Sequence, residues 1–240
     1  MAVEGLYSAA AGMAAQQAWL DSLSNDVANV NTDGYKSSRV AFRDLAYGAS
    51  DGISTGSGAA ATDAGRSFQQ GALQVSSDPL SLAISGPGFF QVRRPDGQLA
   101  LTRNGQFQID ANGSLVTSDG DRLAPPITLP RGIDPARVQV AGDGTVTDGT
   151  RTLGRIQVVD VPSAGNLQSI GDNLYVASAQ SGAPRAARGS QVLQGMLEAS
   201  NVDLSSAMTD MLQAQRGYQL ESRVIQTQDQ LMQIANGIRQ

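Results

Sequence analysis

The chain has 240 residues, enough for one or two domains with a real core, and its formal net charge of −5 argues against nucleic acid or an anionic membrane as the main partner. It holds no cysteine, which excludes disulfides, thiolate nucleophiles and Cys-ligated metals. It holds no histidine either, which removes the commonest general base, the Ser–His triad and the usual zinc sites.

In the first stretch Leu6, Met13, Leu20 and Val27 recur every seven residues, with Leu23 and Val30 three residues after the last two. An apolar repeat of seven on a polar background predicts a helix that packs along another helix. Glu4 stands where a secretory leader is basic, and no run reaches the length of a membrane span. Neither a cleavable signal nor membrane insertion is therefore expected. The turn formers Asn29-Val30-Asn31-Thr32-Asp33-Gly34 stop the helix, with Gly34 suited to the left-handed conformation. Asn25 and Asn29 share a face at that terminus, where their amides suit backbone partners and not catalysis.

Ser37 to Tyr47 alternates loosely, with Val40, Phe42, Leu45 and Tyr47 as its large apolar residues, and reads as an extended arm. Gly48 to Gly65 has linker composition, with Ile53 as its one large apolar residue. From Gly71 onward short apolar runs alternate with turn dipeptides. The runs are Leu80–Ile84, Phe89–Val92, Arg137–Val140 and Ile156–Val159. Asp96-Gly97, Asn104-Gly105, Asn112-Gly113, Asp119-Gly120, Asp143-Gly144 and Asp148-Gly149 are each a tight-hairpin signal. A fragment from Gly71 to Arg188 is expected to fold by itself.

The last stretch, Asp203 to Ile238, repeats Leu204, Met211, Tyr218, Ile225 and Met232 every seven residues, and Met208, Leu212, Leu231 and Ile234 widen the stripe. These patterns predict an α+β chain. Residues 1–36 with 192–240 form a coiled-coil-like helical assembly region, 37–70 an arm and linker, and 71–191 a central antiparallel β-rich domain. The two helices pair within one monomer or meet equivalents in neighbouring subunits; the pattern allows both.

Nothing here points to catalysis, a cofactor or a metal. Asp96, Asp119, Asp143 and Asp148 of the β region each precede a glycine in a turn, where a carboxylate caps its own backbone. Asp110-x-Asn112-x-Ser114 lacks the later glycine and glutamate of a calcium loop. Gly86-Pro87-Gly88 has no phosphate-loop context, and Phe89-Phe90 reads as core.

Four motifs carry a family resemblance. Asn25-Asp26-Val27-Ala28-Asn29-Val30-Asn31-Thr32-Asp33-Gly34-Tyr35-Lys36 resembles the N-terminal signature of the bacterial flagellar rod and hook proteins, with Asp26 where the family commonly has asparagine. Gly86-Pro87-Gly88-Phe89-Phe90-Gln91-Val92 resembles its Gly-x-Gly-Phe-Phe-x-Val strand. Thr102-Arg103-Asn104-Gly105-Gln106-Phe107 is similar to the hairpin that follows. Gln194-Gly195-Met196-Leu197-Glu198-Ala199-Ser200-Asn201-Val202-Asp203 resembles the segment that opens the terminal helix. Gly217 departs from the family, which has a better helix former there, and suits a close approach of two helices.

The resemblance implies a structural subunit of the basal-body rod, nearest the distal-rod type but with a shorter Gly48–Gly65 segment. It implies export by the flagellar type III apparatus, polymerisation with itself and other rod or hook axial proteins, and location in the basal body. The alternative is a secreted or surface β-rich binding module with helical oligomerisation ends. Trp19, the sole tryptophan, lies in the first helix, which disfavours a carbohydrate face.

Overall fold

The computed structural model describes residues 2–45, 47–50, 53–56, 58–130, 135–149 and 151–237. Met1 and residues 238–240, the outer bounds of the helical region expected from sequence, lie outside them. The chain divides into two compact units. One takes Met1–Ala28, Ser38–Ala64 and Asp203–Gln240, the other Asn29–Ser37 and Gly65–Val202.

In the first unit, helix α1 (Ala2–Ala28) packs along helix α2 (Leu204–Gly237). Gly12 lies against Glu221 and Gln16 against Gly217, so the two run antiparallel. Asp203 starts α2. Its carboxylate accepts the Ser206 hydroxyl at 2.6 Å and the Ser205 N–H at 3.1 Å, which satisfies a donor the helix cannot. These bonds, the Ser206 hydroxyl first, hold the Asp203 carboxyl below the usual aspartate range.

The contact between α1 and α2 is not the simple meeting of two apolar stripes. Ala9, Ala15 and Leu23 of α1 and Ala207 and Ala214 of α2 are buried. Leu6, Met13, Leu20, Val27, Met211, Ile225 and Met232 are half-buried. Small residues sit deepest because they let two backbones approach. Leu204 and Tyr218, expected in the same seam, are 42% and 39% exposed. Met208, Leu212, Leu231 and Ile234, which widen the stripe in sequence, are all more than half exposed.

The arm is β structure. Ser38–Asp44 pairs with Ala59–Arg66, and Tyr47–Ser50 with Ile53–Gly56. Among the described residues of 48–65, small residues thus form strands where their composition suggested a linker, because backbone pairing needs no bulky side chain. Trp19 of α1 meets Phe42 of the arm edge-on, with centroids 5.6 Å apart.

The second unit is antiparallel β. Its main sheet runs Gln168–Gly171, Leu174–Val176, Leu99–Thr102, Phe89–Arg93, Arg122–Leu123, Leu115–Thr117, Phe107–Ile109. Val158–Asp160 also pairs with Phe89–Arg93 and carries Arg185–Ala186 on its far side. A second sheet joins Val138–Val140, Thr145–Asp148 and Arg151–Arg155. Four of the dipeptides close hairpins the same way, with the glycine N–H returning to the residue three before it at Gly97, Gly113, Gly120 and Gly144. Asn104-Gly105 departs from that expectation. The strands on either side of it are not neighbours in the sheet, and Gly105 bonds Leu82 instead.

Successive strand residues face opposite ways, so Phe89 and Phe90 enter different cores. Phe90 packs edge-on against Phe107 at 5.3 Å, among Leu82, Ile84, Leu123 and Ile127. Phe89 joins Phe68 at 5.1 Å beside Tyr175.

The boundary differs from that expected of Gly71–Arg188. Gln191–Gln194 pairs with Leu82–Ser85, and Met196–Glu198 with Leu73–Val75, so strands beyond Arg188 complete the unit. A fragment of residues 29–202, which keeps both segments of the unit, is expected to give a cooperative β melt. A fragment ending at Arg188 loses two strand pairings and is expected to melt far lower and more broadly, as circular dichroism would show.

Candidate functional site

The second unit brings together residues from all four motifs around one carboxylate. Glu198 and Lys36 are both fully buried, and 162 residues separate them. Lys36 Nζ donates to Glu198 Oε1 and, at 2.7 Å, to the Gln69 carbonyl. Arg103 donates from one terminal nitrogen to Glu198 Oε2 at 2.9 Å and from the other to the Gly86 carbonyl at 2.8 Å. Its guanidinium lies over the Phe89 ring, 5.5 Å from the centroid. The Gly71 N–H adds a further bond to Glu198 Oε1 at 2.9 Å.

Local structure explains how Lys36 gets there. α1 ends at Ala28, and Asn29 closes the next turn, accepting the Thr32 hydroxyl on its side chain and the Thr32 N–H on its carbonyl, each at 3.1 Å. Gly34 then takes φ +70° and donates its N–H to the Glu198 carbonyl at 2.7 Å. A Cβ there would collide with the backbone of Arg103 and Asn104, so both the angle and the space require glycine. Tyr35 is buried, with its hydroxyl accepting from Arg66 at 3.0 Å.

Asn201 closes the other side. Its Oδ1 accepts the Ser37 N–H at 2.8 Å, and its Nδ2 donates to the Ser67 and Gln69 carbonyls at 2.7 and 3.0 Å. Ser200 accepts the Val202 N–H at 3.3 Å. The Asn201 amide thus ties two passing backbone segments, at Ser37 and at Ser67–Gln69, with three of its four bonding positions. Gly86 enters through its carbonyl, and Gly88 leads into the strand that carries Phe89 and Phe90.

Asn25 and Asp26 belong to the first unit. Asn25 lies exposed on α1, while Asp26 is buried and accepts the Ser38 N–H on both oxygens, at 3.0 and 3.2 Å. A carboxylate offers two acceptors for that N–H where an asparagine offers one, which gives the departure at Asp26 a role.

Two cations around one anion in a dry site are coupled by a low local dielectric, and burying them costs energy that only complete bonding offsets. Burial pushes the Lys36 amine below the usual lysine range, opposed by its bond to Glu198. The arrangement has no opening for a substrate, since Lys36 and Glu198 have no exposed side-chain surface. Its chemistry is that of a lock, joining the chain leaving α1 to the chain entering α2.

Glu198 and Lys36 stand out in the sequence only by scarcity, and Arg103 not even by that. Lys36 is the one lysine, and Glu198 is one of three glutamates. Each falls inside a motif of a chain that is only 16% charged. The Asp110 loop is also resolved. Its carboxylate takes the N–H groups of Ser114 and Asn112 at 2.7 and 2.8 Å, and the Ser114 bond above all holds it below the usual range. Among the described residues no group of three His, Cys, Asp or Glu side chains is placed to hold a metal. Nor is any helix among them long and apolar enough to cross a membrane.

Three family models match successive parts of the chain. Residues 6–36 match the family described as flagella basal body rod protein. Residues 83–148 match the flagellar hook protein FlgE/F/G D1 domain, and residues 193–238 the flagellar basal body rod FlgEFG protein C-terminal region. The flagellar basal-body rod protein FlgG of Caulobacter vibrioides is 37% identical, over 99% of this chain and 100% of its own length. FlgG of Bacillus subtilis is 37% identical over 96% of this chain and 97% of its own. The rod protein FlgF of Caulobacter vibrioides is 34% identical over 90% and 89%.

Proposed function

This chain belongs to the family of flagellar basal-body rod proteins, and on that premise we propose that it joins the rod through the outward faces of its two terminal helices. It is a structural subunit of the flagellar basal body and not an enzyme, and it assembles with other axial proteins of the flagellum.

The observation that carries the proposal is the uncovered side of α2. Leu220, Val224, Leu231 and Ile234 are 61%, 55%, 55% and 59% exposed, at spacings of four, seven and three residues. That spacing lays them on one side of the helix, apart from the half-buried set Met211, Ile225 and Met232. Leu204, Met208 and Leu212 add exposed apolar surface at the other end. α2 has 34 residues and is about 50 Å long, so the uncovered surface is extended. Solvent-facing apolar stripes of that length mark contact surfaces. A second copy of the chain, or an axial relative with the same helices, offers a stripe of the same kind.

The β unit supports the same reading. Phe89, Phe90, Phe107 and Tyr175 are all in its interior, so it offers no aromatic platform for a sugar ligand. Its turns are polar, which suits an outer position around a helical shaft. Export by the flagellar type III apparatus completes the proposal. Neither helix is a candidate membrane span.

The absence of native cysteine makes a clean test possible. Single substitutions Leu220→Cys, Val224→Cys and Ile234→Cys, oxidised in assembled basal bodies, are expected to give subunit dimers. The same substitutions at exposed positions of the β turns, such as Asp96→Cys, are expected to give none. Dimers from Asp96→Cys alone would overturn the assignment of the interface to the helices.

A further inference from the structure

Two buried oxygens inside the helix pair lack a hydrogen-bond partner: Gln16 Oε1 on α1 and Glu221 Oε2 on α2. Gln16 follows Gly12 by one helical turn and Glu221 follows Gly217 by one, and each is seated on the glycine of the opposite helix. The Glu221 carboxylate occupies the place where a side chain at Gly12 would begin. The Gln16 amide lies 2.9 Å from where one at Gly217 would begin. Glycine at both positions makes room for a polar group that no ordinary seam admits.

Among the described residues no cation is paired with Glu221. The facing stretch of α1, Ser8 to Trp19, has no charged residue, and the aspartates that follow, Asp21 and Asp26, lie further along. On α2 the neighbours one turn away are Gly217, Tyr218, Val224 and Ile225, of which only the Tyr218 phenol is titratable. The arginines nearest to it along α2, Arg216 and Arg223, are exposed. Both orphaned atoms are acceptors when the carboxyl is ionised, so neither can satisfy the other.

We propose that Gln16 and Glu221 form a proton-operated latch on the α1–α2 pair: one proton taken from solvent by the Glu221 carboxyl supplies the donor that both oxygens lack. Protonated, Glu221 donates to the Gln16 carbonyl and the seam closes. Ionised, it leaves one carboxylate oxygen and the Gln16 carbonyl without a donor between the helices, which then separate more readily. The latch acts within one chain, so it holds or fails independently of how neighbouring chains meet.

Burial moves the group in the required direction, pushing the Glu221 carboxyl above the usual glutamate range. A raised carboxyl gives its full stabilisation below the ordinary value of about 4.3 and loses it as pH rises through the raised value. Pairing is thus tightest in mildly acidic medium and weaker near neutrality, where the helices are freer to take other partners. In the competing arrangement the Gln16 amide is turned over, with its N–H₂ donating to an ionised Glu221; pairing would then not weaken as pH rises.

The test uses the full chain and the thermal melt of helical ellipticity from about pH 4.5 to about pH 8. The wild-type midpoint is expected to fall by several degrees across this range. In Glu221→Gln a carboxamide supplies the donor at every pH, so its midpoint is expected to stay level and exceed the wild type near neutrality. The carboxyl carbon resonance of Glu221, identified by its loss in that variant, reads the same event in the unmodified chain. It is expected to titrate above the ordinary glutamate range. A wild-type midpoint that tracks the variant, or a Glu221 resonance titrating in the ordinary range, would overturn the latch.

Discussion

Replacing Glu198 with alanine is expected to remove about 3–5 kcal/mol from the β unit, the cost of breaking a buried ion pair by taking away one partner. The cost comes less from the lost attraction than from what stays behind. Lys36 and Arg103 would remain in the interior, facing each other without an anion, with Arg103 Nε already lacking a partner. Against a total stability of about 5–15 kcal/mol for a domain, that loss is a large share. Glu198→Gln keeps the shape and loses the charge, so it is expected to fall almost as far.

Lys36→Met is expected to be milder, because Glu198 keeps its 2.9 Å bond to Arg103. Replacing all three by apolar residues of similar volume is expected to recover most of the loss, as the desolvation cost disappears with the charges. Denaturant melts of the four variants check this series. A Glu198→Ala loss below about 1 kcal/mol, the range of surface pairs, would show that the triad is not the lock of this junction.

The second large effect concerns assembly and leaves the monomer nearly untouched. Val224→Asp combined with Leu231→Asp puts two charges on the uncovered side of α2, where each residue is 55% exposed in the single chain. Solvent reaches both positions in the monomer, so the melts of the two units should hardly move. A neighbouring subunit that covered them would bury two unpaired carboxylates, each at a cost of several kcal/mol. Every 1.4 kcal/mol is tenfold in an equilibrium constant, so association should weaken by at least about a hundredfold. A strain carrying only this variant is expected to make no complete basal bodies and not to swim. Met211→Asp is the matched contrast, because Met211 is half-buried in the chain's own unit and its loss should lower the helical melt as well.

Patterns of short range were legible in the sequence. The seven-residue repeats located both helices, and four Asp-Gly or Asn-Gly turns closed hairpins as their chemistry requires. Phe89 and Phe90 read correctly as core, though not as parts of two cores. What the repeats could not show is which side of each helix faces the other. The deepest positions are alanines, with Gly12 and Gly217 facing Gln16 and Glu221, and these carry no apolar signal.

The junction was legible only in part. Asn29, Thr32, Gly34, Tyr35, Gly86, Phe89 and Asn201 were singled out, but Glu198 and Arg103 appeared only as letters within motifs. The bonds of Glu198 to Lys36 and to Arg103 span 162 and 95 residues, and neither periodicity nor turn chemistry carries such information. Asn104-Gly105 shows the same limit in reverse. A dipeptide with a strong hairpin signal serves a corner instead, because strand order in the sheet is set by the whole unit.

Electron cryomicroscopy of basal bodies from a strain carrying this chain tests the helical interface most directly. Leu220, Val224, Leu231 and Ile234 are predicted to lie against helices of neighbouring subunits in the inner wall of the shaft, with the β unit outside. A rod in which those four side chains face solvent, and neighbouring subunits meet through their β units alone, would contradict it.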